Sequence, residues 1–254
     1  MNILFIGDIV GKPGREYITS HLNKIKNDFN IDICIANGEN ASHGNSLTLN
    51  NANELRSAGI DIITMGNHTF NRNVETLFDE FPYAIRPANY SSHLPGNGSI
   101  VFDTGAFRLG VVNVQGQVGI EPINSPFEAI VSEIEKISKD CDAIFVDFHA
   151  EATSEKLAMG HFLDGKVAAV VGTHTHVQTA DEKILPKGTA YITDVGMTGV
   201  KNSILGTDIT TIVNRFAYQK KDKFILAEGD VQFNGVVVTI DNSNLSKSIR
   251  RIML

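Results

Sequence analysis

The sequence predicts an α/β fold, and three observations carry that expectation. Short apolar runs alternate along all 254 residues with segments whose apolar side chains recur at helical spacing. Five of the apolar runs empty into polar tips holding Asp, Glu, Asn or His, at the place where strands of parallel βαβ units end. No linker, low-complexity tract, charge block or internal repeat divides the chain, so residues 1–254 are expected to form one domain. Two arrangements stay open: one mixed sheet, or two sheets packed together with helices outside.

Residues 2–7 are a first apolar run, closed by Gly7-Asp8. Ile18, Leu22, Ile25 and Phe29 then fall at helical spacing over 14–29, and Pro13 suits a helix start, where no amide hydrogen is needed. Residues 31–36 read as a second strand running into Asn37-Gly38-Glu39-Asn40. A helix carrying Leu49, Ala52 and Leu55 follows and stops at Gly59. Residues 60–65 are a third strand, leading into Gly66-Asn67-His68.

The middle changes character. Residues 83–85 make a short strand before the turn Arg86-Pro87-Ala88-Asn89. Residues 99–103 and 108–114 face each other as a hairpin across Thr104-Gly105-Ala106-Phe107. Phe127, Ile130, Val131, Ile134 and Ile137 mark another amphipathic helix. Residues 143–148 form a buried-type strand ending at His149, and 154–160 a short helix. Residues 167–171 are the next strand, ending at Gly172-Thr173-His174-Thr175-His176. Residues 190–193 run into a loop, Asp194-Val195-Gly196-Met197-Thr198-Gly199. Ile209, Ile212, Val213 and Phe216 indicate a helix, and two late strands over 231–241 and 246–253 close the chain as an antiparallel pair.

Composition narrows the function classes. A formal net charge of −7 argues against an extensive nucleic-acid surface but leaves room for a small nucleotide. The two cysteines, Cys34 and Cys141, lie in or beside apolar runs and read as core residues in a reducing compartment. The first residues lack a basic leader, and no apolar stretch approaches membrane-spanning length. A cytoplasmic protein is the expectation.

The chemistry collects at the strand ends. Asp8, Glu39-Asn40, Asn67-His68, His149, and His174 with His176 all stand where ligands gather in open α/β sheets. These are oxygen and nitrogen ligands of iron, manganese or zinc, with no thiolate among them. Each tip alone has a bland reading as a turn, a helix cap or a satisfied core histidine. Together, two carboxylates and several neutral donors exceed the needs of one ion and suit two, with Glu39 as the natural bridge. Such a pair clamps both oxygens of an in-line displacement and lowers the pKa of bound water to about 7. Phosphate esters most need that help. The remaining histidines, His21, His43, His93 and His161, read as surface residues.

Gly66-Asn67-His68 and Gly172-Thr173-His174-Thr175-His176 resemble the Gly-Asn-His and Gly-His-x-His signatures of calcineurin-like metallophosphoesterases. That superfamily's usual Asp-x-His and Gly-Asp-x-x-Asp motifs are here Asp8-Ile9-Val10 and Gly38-Glu39-Asn40. Those departures resemble the YmdB-like bacterial branch, whose similarity spans nearly the whole chain. It includes Asn37-Gly38-Glu39-Asn40-Ala41, Arg86-Pro87-Ala88-Asn89-Tyr90, Asp147-Phe148-His149-Ala150-Glu151 and Thr193-Asp194-Val195-Gly196-Met197.

The resemblance implies a four-layer α-β-β-α sandwich of two mixed β-sheets. It implies one metal held by Asp8, Glu39, Asn40 and His176, and another by Glu39, Asn67, His149 and His174, with Asn40 replacing the histidine missing at Val10. It implies His68 as the general acid that protonates the leaving alkoxide after attack by a metal-bridging hydroxide. The implied activity is hydrolysis of cyclic nucleotides, chiefly 2′,3′-cyclic, with iron expected and manganese or zinc as alternatives. A homo-oligomer is compatible with it.

Two rivals stand beside this reading: a phosphomonoesterase or nucleotidase on the same site, and a nucleotide-sensing or RNA-associated scaffold with little turnover. Among lesser candidates, Asp194 and Thr198 either border the phosphate or belong to a glycine-held turn. Lys156 and Arg86 are expected to be exposed surface charges rather than phosphate ligands.

Overall fold

Asn2–Ile6 (β1) is apolar on both faces, so it can sit only in the interior of a layered sheet. The computed structural model, which describes residues 1–241 and 244–254, places it there. After the short Asp8–Ile9 (β2) comes the helix Gly11–Asp28 (α1), whose Ile18, Leu22 and Ile25 face inward at the predicted spacing. Ile33–Asn37 (β3), Leu49–Ser57 (α2), Ile62–Thr64 (β4), Glu75–Glu80 (α3) and Ala84–Ile85 (β5) continue the alternation. β1, β3, β4 and β5 pair in parallel, as their helical crossovers require.

The second half repeats the plan. Ser99–Asp103 (β6) and Arg108–Gln115 (β7) form the predicted hairpin, followed by Pro126–Ile137 (α4), Ala143–His149 (β8), Thr153–Leu163 (α5) and Ala169–Thr173 (β9). Lys183–Ile184 (β10), Ala190–Ile192 (β11), Met197–Val200 (β12), Ile209–Tyr218 (α6), Val231–Gln232 (β13), Asn234–Ile240 (β14) and Ser246–Met253 (β15) complete the chain. One six-stranded sheet runs β15-β14-β1-β3-β4-β5, the other β10-β11-β9-β8-β7-β6. Both are mixed, and a third, small sheet runs β13-β12-β2.

Strand alternation sorts the side chains into layers. In β1, Leu4 and Ile6 pack toward α1 and α2, while Ile3 and Phe5 face the other sheet. In β8, Phe145 faces that shared middle layer and Ile144, Val146 and Phe148 pack under α4 and α5. Phe5 and Phe145 stack across the sheets with centroids 5.6 Å apart, a pair worth about 0.5–1.5 kcal/mol beyond the area it buries. The result is the expected four-layer sandwich.

Three details differ from expectation. The Asp194–Gly199 stretch is loop only over its first half: Met197–Val200 is β12, parallel to β2, with Met197 opposite Asp8. Its glycines hid a short, wholly buried strand. Residues 231–241 break at Phe233 into β13 and β14, which belong to different sheets. The helix α3 is short and mostly polar, so no apolar period announced it. Cys34 and Cys141 are free thiols, and the four remaining histidines are exposed, as expected. No helix among the described residues is long and apolar enough to cross a membrane.

Candidate metal centre

The parallel strands of both sheets point their carboxyl ends at one edge, so residues far apart in sequence meet there. Asp8 follows β1, Glu39 and Asn40 follow β3, and Asn67 and His68 follow β4. His149 ends β8, while His174 and His176 follow β9. Glycine makes the approach close enough. A Cβ on Gly66 would overlap Glu39 Oε2 and the His149 ring, and one on Gly172 would overlap the Thr193 carbonyl.

Glu39 stands at the middle. Its Oε1 lies 3.1 Å from His149 Nε2 on one side and 3.2 Å from Asn40 Nδ2 on the other. Its Oε2 accepts the backbone N–H of His68 at 3.0 Å. On the first side, His149 Nε2 also meets Asn67 Oδ1 at 2.9 Å and His174 Nδ1 at 3.0 Å. Glu39, His149 and His174 bring one ligand atom each within 4.8 Å of one another. On the other side, Asn40 Nδ2 lies 3.1 Å from His176 Nε2 and 3.5 Å from Asp8 Oδ1. All seven predicted ligand residues therefore line one cleft, in two groups that share Glu39.

The hydrogen-bond logic tests whether a cation fits. Thr173 has one hydroxyl proton and gives it to Asp147 Oδ1 at 2.7 Å. Its 2.9 Å contact with His149 Nδ1 therefore needs the ring to donate, which leaves Nε2 to offer a lone pair to the cleft. That lone pair would face a carboxylate oxygen, an amide oxygen and a second imidazole. Such a set of acceptors is stable only around positive charge. In the metal-free protein a proton supplies it: burial opposes the charge, but Glu39, with Asp8 and Asp147 behind it, pushes the His149 pKa up to about 9. Burial alone would raise Glu39, yet the charge and hydrogen bond of His149 hold it below the usual carboxylate range. Burial, then the charge on His149, drives His174 down to about 3, so His174 stays neutral, as a ligand must. The donor set fits a transition-metal ion.

The other group is prepared in part. His176 Nδ1 donates to the Leu205 carbonyl at 3.1 Å, directing Nε2 inward. Asp8 is fully buried, and that burial raises its pKa. Asn40 presents its amide nitrogen to Asp8, Glu39 and His176, while its Oδ1 accepts from His68 Nδ1 at 2.9 Å. Holding a cation through oxygen requires that amide to turn over, an exchange of near-isosteric atoms.

Outer supports complete the cleft, and sequence reasoning missed them. Asp147 is a carboxylate in the middle of a buried strand; it accepts from Thr173, Thr64 and Asn37, and burial pushes it up to about 6. The signal was legible, since an aspartate rarely interrupts a run such as Ala143–His149 without a task. Glu151 Oε2 reaches His174 Nε2 at 3.3 Å. Lys156 and Arg86 correct the expectation of exposed charges. Lys156 is 1% exposed and pairs with the buried Asp194 at 2.7 Å. Asp194 in turn accepts the Thr175 N–H at 3.0 Å, between the two histidines, whose backbones sit at φ +101° and +64°. Arg86 is buried too, and its guanidinium donates to the carbonyls of Pro87 and Pro95. Neither reaches the cleft. Asp194 and Thr198 are fully buried, while His68, 34% exposed, stands at the mouth.

Comparison with known proteins gives the chain its relatives. The sequence profile of the family described as "YmdB-like protein" matches residues 4–252. A 2′,3′-cyclic-nucleotide 2′-phosphodiesterase of Bacillus subtilis (strain 168) is 46% identical, covering 100% of this chain and 97% of its own. The crystal structure of a hypothetical protein from Thermus thermophilus superposes with a TM-score of 0.94 at 38% identity, over 100% of this chain and 99% of its own. The crystal structure of a 5′-nucleotidase precursor from Thermus thermophilus shares the fold at a TM-score of 0.59 and 12% identity, over 100% of this chain and 54% of its own.

Proposed function

The chain belongs to the YmdB-like protein family, and from that membership we propose that it is a dimetal phosphodiesterase acting on 2′,3′-cyclic nucleotides. The observation that carries the reading is the convergence of seven donor residues on one cleft in two groups sharing Glu39. Asp8, Glu39, Asn40 and His176 would hold one ion; Glu39, Asn67, His149 and His174 would hold the other. Iron is the proposed metal, because a mixed imidazole, amide and carboxylate set without thiolate suits it, and manganese and zinc compete for the same donors. When bound, the ions supply a nucleophilic hydroxide at neutral pH and neutralise charge on the phosphoryl oxygens.

The chain's own residues do the rest. Glu39, fixed by the His68 N–H, keeps the two groups in register. His68 stands at the mouth with Nδ1 against the Asn40 amide; once that amide turns to ligate, its Nδ2–H donates to Nδ1, so Nε2 carries the proton that goes to the departing O2′. The bond between phosphorus and O2′ breaks, that oxygen leaves as a hydroxyl, and a nucleoside 3′-phosphate remains. Asp147 and Thr173 keep His149 from turning.

Metal analysis of freshly purified protein, coupled to turnover of 2′,3′-cyclic, 3′,5′-cyclic and monoester substrates, tests the proposal. Two ions per chain and a preference for the 2′,3′-cyclic diester are expected. Full turnover after complete metal removal would overturn the mechanism, and a monoester preference would overturn the substrate.

A further inference from the structure

A second cavity, about 420 Å³, opens beside the metal cleft and shares Asn40, His68, His176 and Leu205 with it. One wall is apolar and belongs to the segment after α6. There the Asp208 N–H donates to the Ile225 carbonyl at 2.9 Å and the Ala227 N–H to the Gly206 carbonyl at 2.9 Å, which pins the backbone around residues 224–226. Phe224 is 65% exposed on that pinned segment. The guanidinium of Arg215, on α6, covers one face of its ring, 4.6 Å from the centroid. An exposed aromatic ring braced on one face by a cation is a platform with one face free. Exposed apolar surface of this kind marks a binding site more often than an accident when it lines a cavity. Arg72 also lines the cavity and is tethered by one bond, Nε to the Asn45 carbonyl at 3.0 Å. Its terminal amines have no carboxylate partner among the described residues.

Chemistry sets which side of the cleft the nucleoside takes. In a 2′,3′-cyclic nucleotide the departing oxygen belongs to the ribose, so the acid and the nucleoside must lie on the same side of the phosphorus. His68 lines both cavities and so stands at their boundary, with Asn40, His176 and Leu205. We propose, building on the phosphodiesterase reading, that this second cavity is the nucleoside subsite. The base stacks on the free face of Phe224, and Arg72 donates to acceptors on the base edge. Stacking on a single aromatic face accepts every base, because each has a π-face. Arg72 offers donors only, so it favours an edge with two acceptors, such as O6 and N7 of guanine, over the adenine edge that presents an amino group. The subsite therefore predicts broad base tolerance with a guanine bias.

Steady-state kinetics of Phe224→Ala on 2′,3′-cyclic GMP and on methyl riboside 2′,3′-cyclic phosphate, which lacks a base, test the stacking. The expected result is a KM for cyclic GMP raised about tenfold with kcat within about twofold, a smaller rise for the base-free diester, and rescue by Phe224→Trp. An equal rise for both substrates, or no rise, overturns the proposal. Arg72→Leu is expected to bring the kcat/KM values for guanine and adenine substrates together; an undiminished guanine bias overturns the role of Arg72. Calorimetry of guanosine 3′-phosphate binding to the metal-stripped protein separates this subsite from the catalytic reading. Should the wild type turn over no cyclic nucleotide, the phosphodiesterase reading falls, yet weaker binding by Phe224→Ala still upholds the subsite and unchanged binding overturns it.

Discussion

Around Asn67, His149 and His174 the central donor, His149, is fixed from behind, whereas around Asp8, Asn40 and His176 the outer support is thinner. His149 is fully buried, tied through Thr173 to Asp147, and Asp147 is itself held by Thr64 and Asn37. His176 hangs from the carbonyl of Leu205, a half-exposed loop residue at φ +53°. Asn40 must turn its amide before it can ligate, while Asn67 already presents oxygen. The two groups have similar donors, so the difference lies in the outer contacts, which set how far a site must reorganise to accept an ion. The His149 half should bind first and more tightly.

The comparison breaks most completely at His149. Replacing it with alanine removes the residue that meets Glu39, Asn67 and His174 together. Turnover should fall by more than the roughly 100-fold that outer contacts cost, and elemental analysis should find the tighter ion gone. Retention of two ions in that variant would show that His149 is not a ligand.

Lys156 tests what the halves share. Its partner Asp194 holds Thr175 between the two strained histidines, so both halves rest on this one ion pair. Lys156→Met leaves Asp194 buried without a cation, a change that typically costs about 3–5 kcal/mol of stability. Urea melts should show that loss, and the double variant Lys156→Met with Asp194→Asn should recover part of it. A milder change sharpens the contrast. Thr173→Val cuts the tie between His149 and Asp147 and should weaken one ion by roughly 10–100-fold while sparing the other. A stepwise metal titration reads this directly; equal weakening of both ions would mean that the halves are not separately braced.

How much of this was legible in the sequence follows the same division. Every ligand candidate lay at the end of an apolar run, and run ends can be read from pattern alone, as Gly66-Asn67-His68 and the two histidines around Thr175 illustrate. Apart from Asp147, whose place inside an apolar run marks it, the supports were not legible, because they depend on which strands become neighbours. Lys156 looks like any helix-surface lysine until α5 packs on β9 and covers it. Asp194 sits among glycines that suggest a turn, although Met197–Val200 pairs with β2. Arg86 is absorbed by carbonyls of its own loop. Local residue type announces a ligand; only tertiary pairing announces what holds it still.

The smallest effect is also the most direct probe of the positive charge that this cleft demands. In the metal-free protein His149 has its pKa raised from 6.5 to about 9, so the folded state binds a proton more tightly than the unfolded chain does. Its contribution to stability is therefore complete below pH 6.5 and is lost as the pH climbs through about 9. Asp147, raised from 3.8 to about 6, adds a loss of the same sign between pH 4 and 6. Glu39 acts in the opposite sense, because its lowered pKa removes stability only as the pH falls below 4.5. The melting temperature of stripped protein should thus decline across pH 6.5–9. Protein loaded with metal should show no such decline, since a cation then takes the place of the proton on His149. Metal affinity should rise with pH over the same window, approaching about tenfold per unit if one proton leaves for each ion bound. A flat melting profile for the stripped protein would mean that no proton occupies the cleft, and that its acceptors are satisfied in some way other than by positive charge.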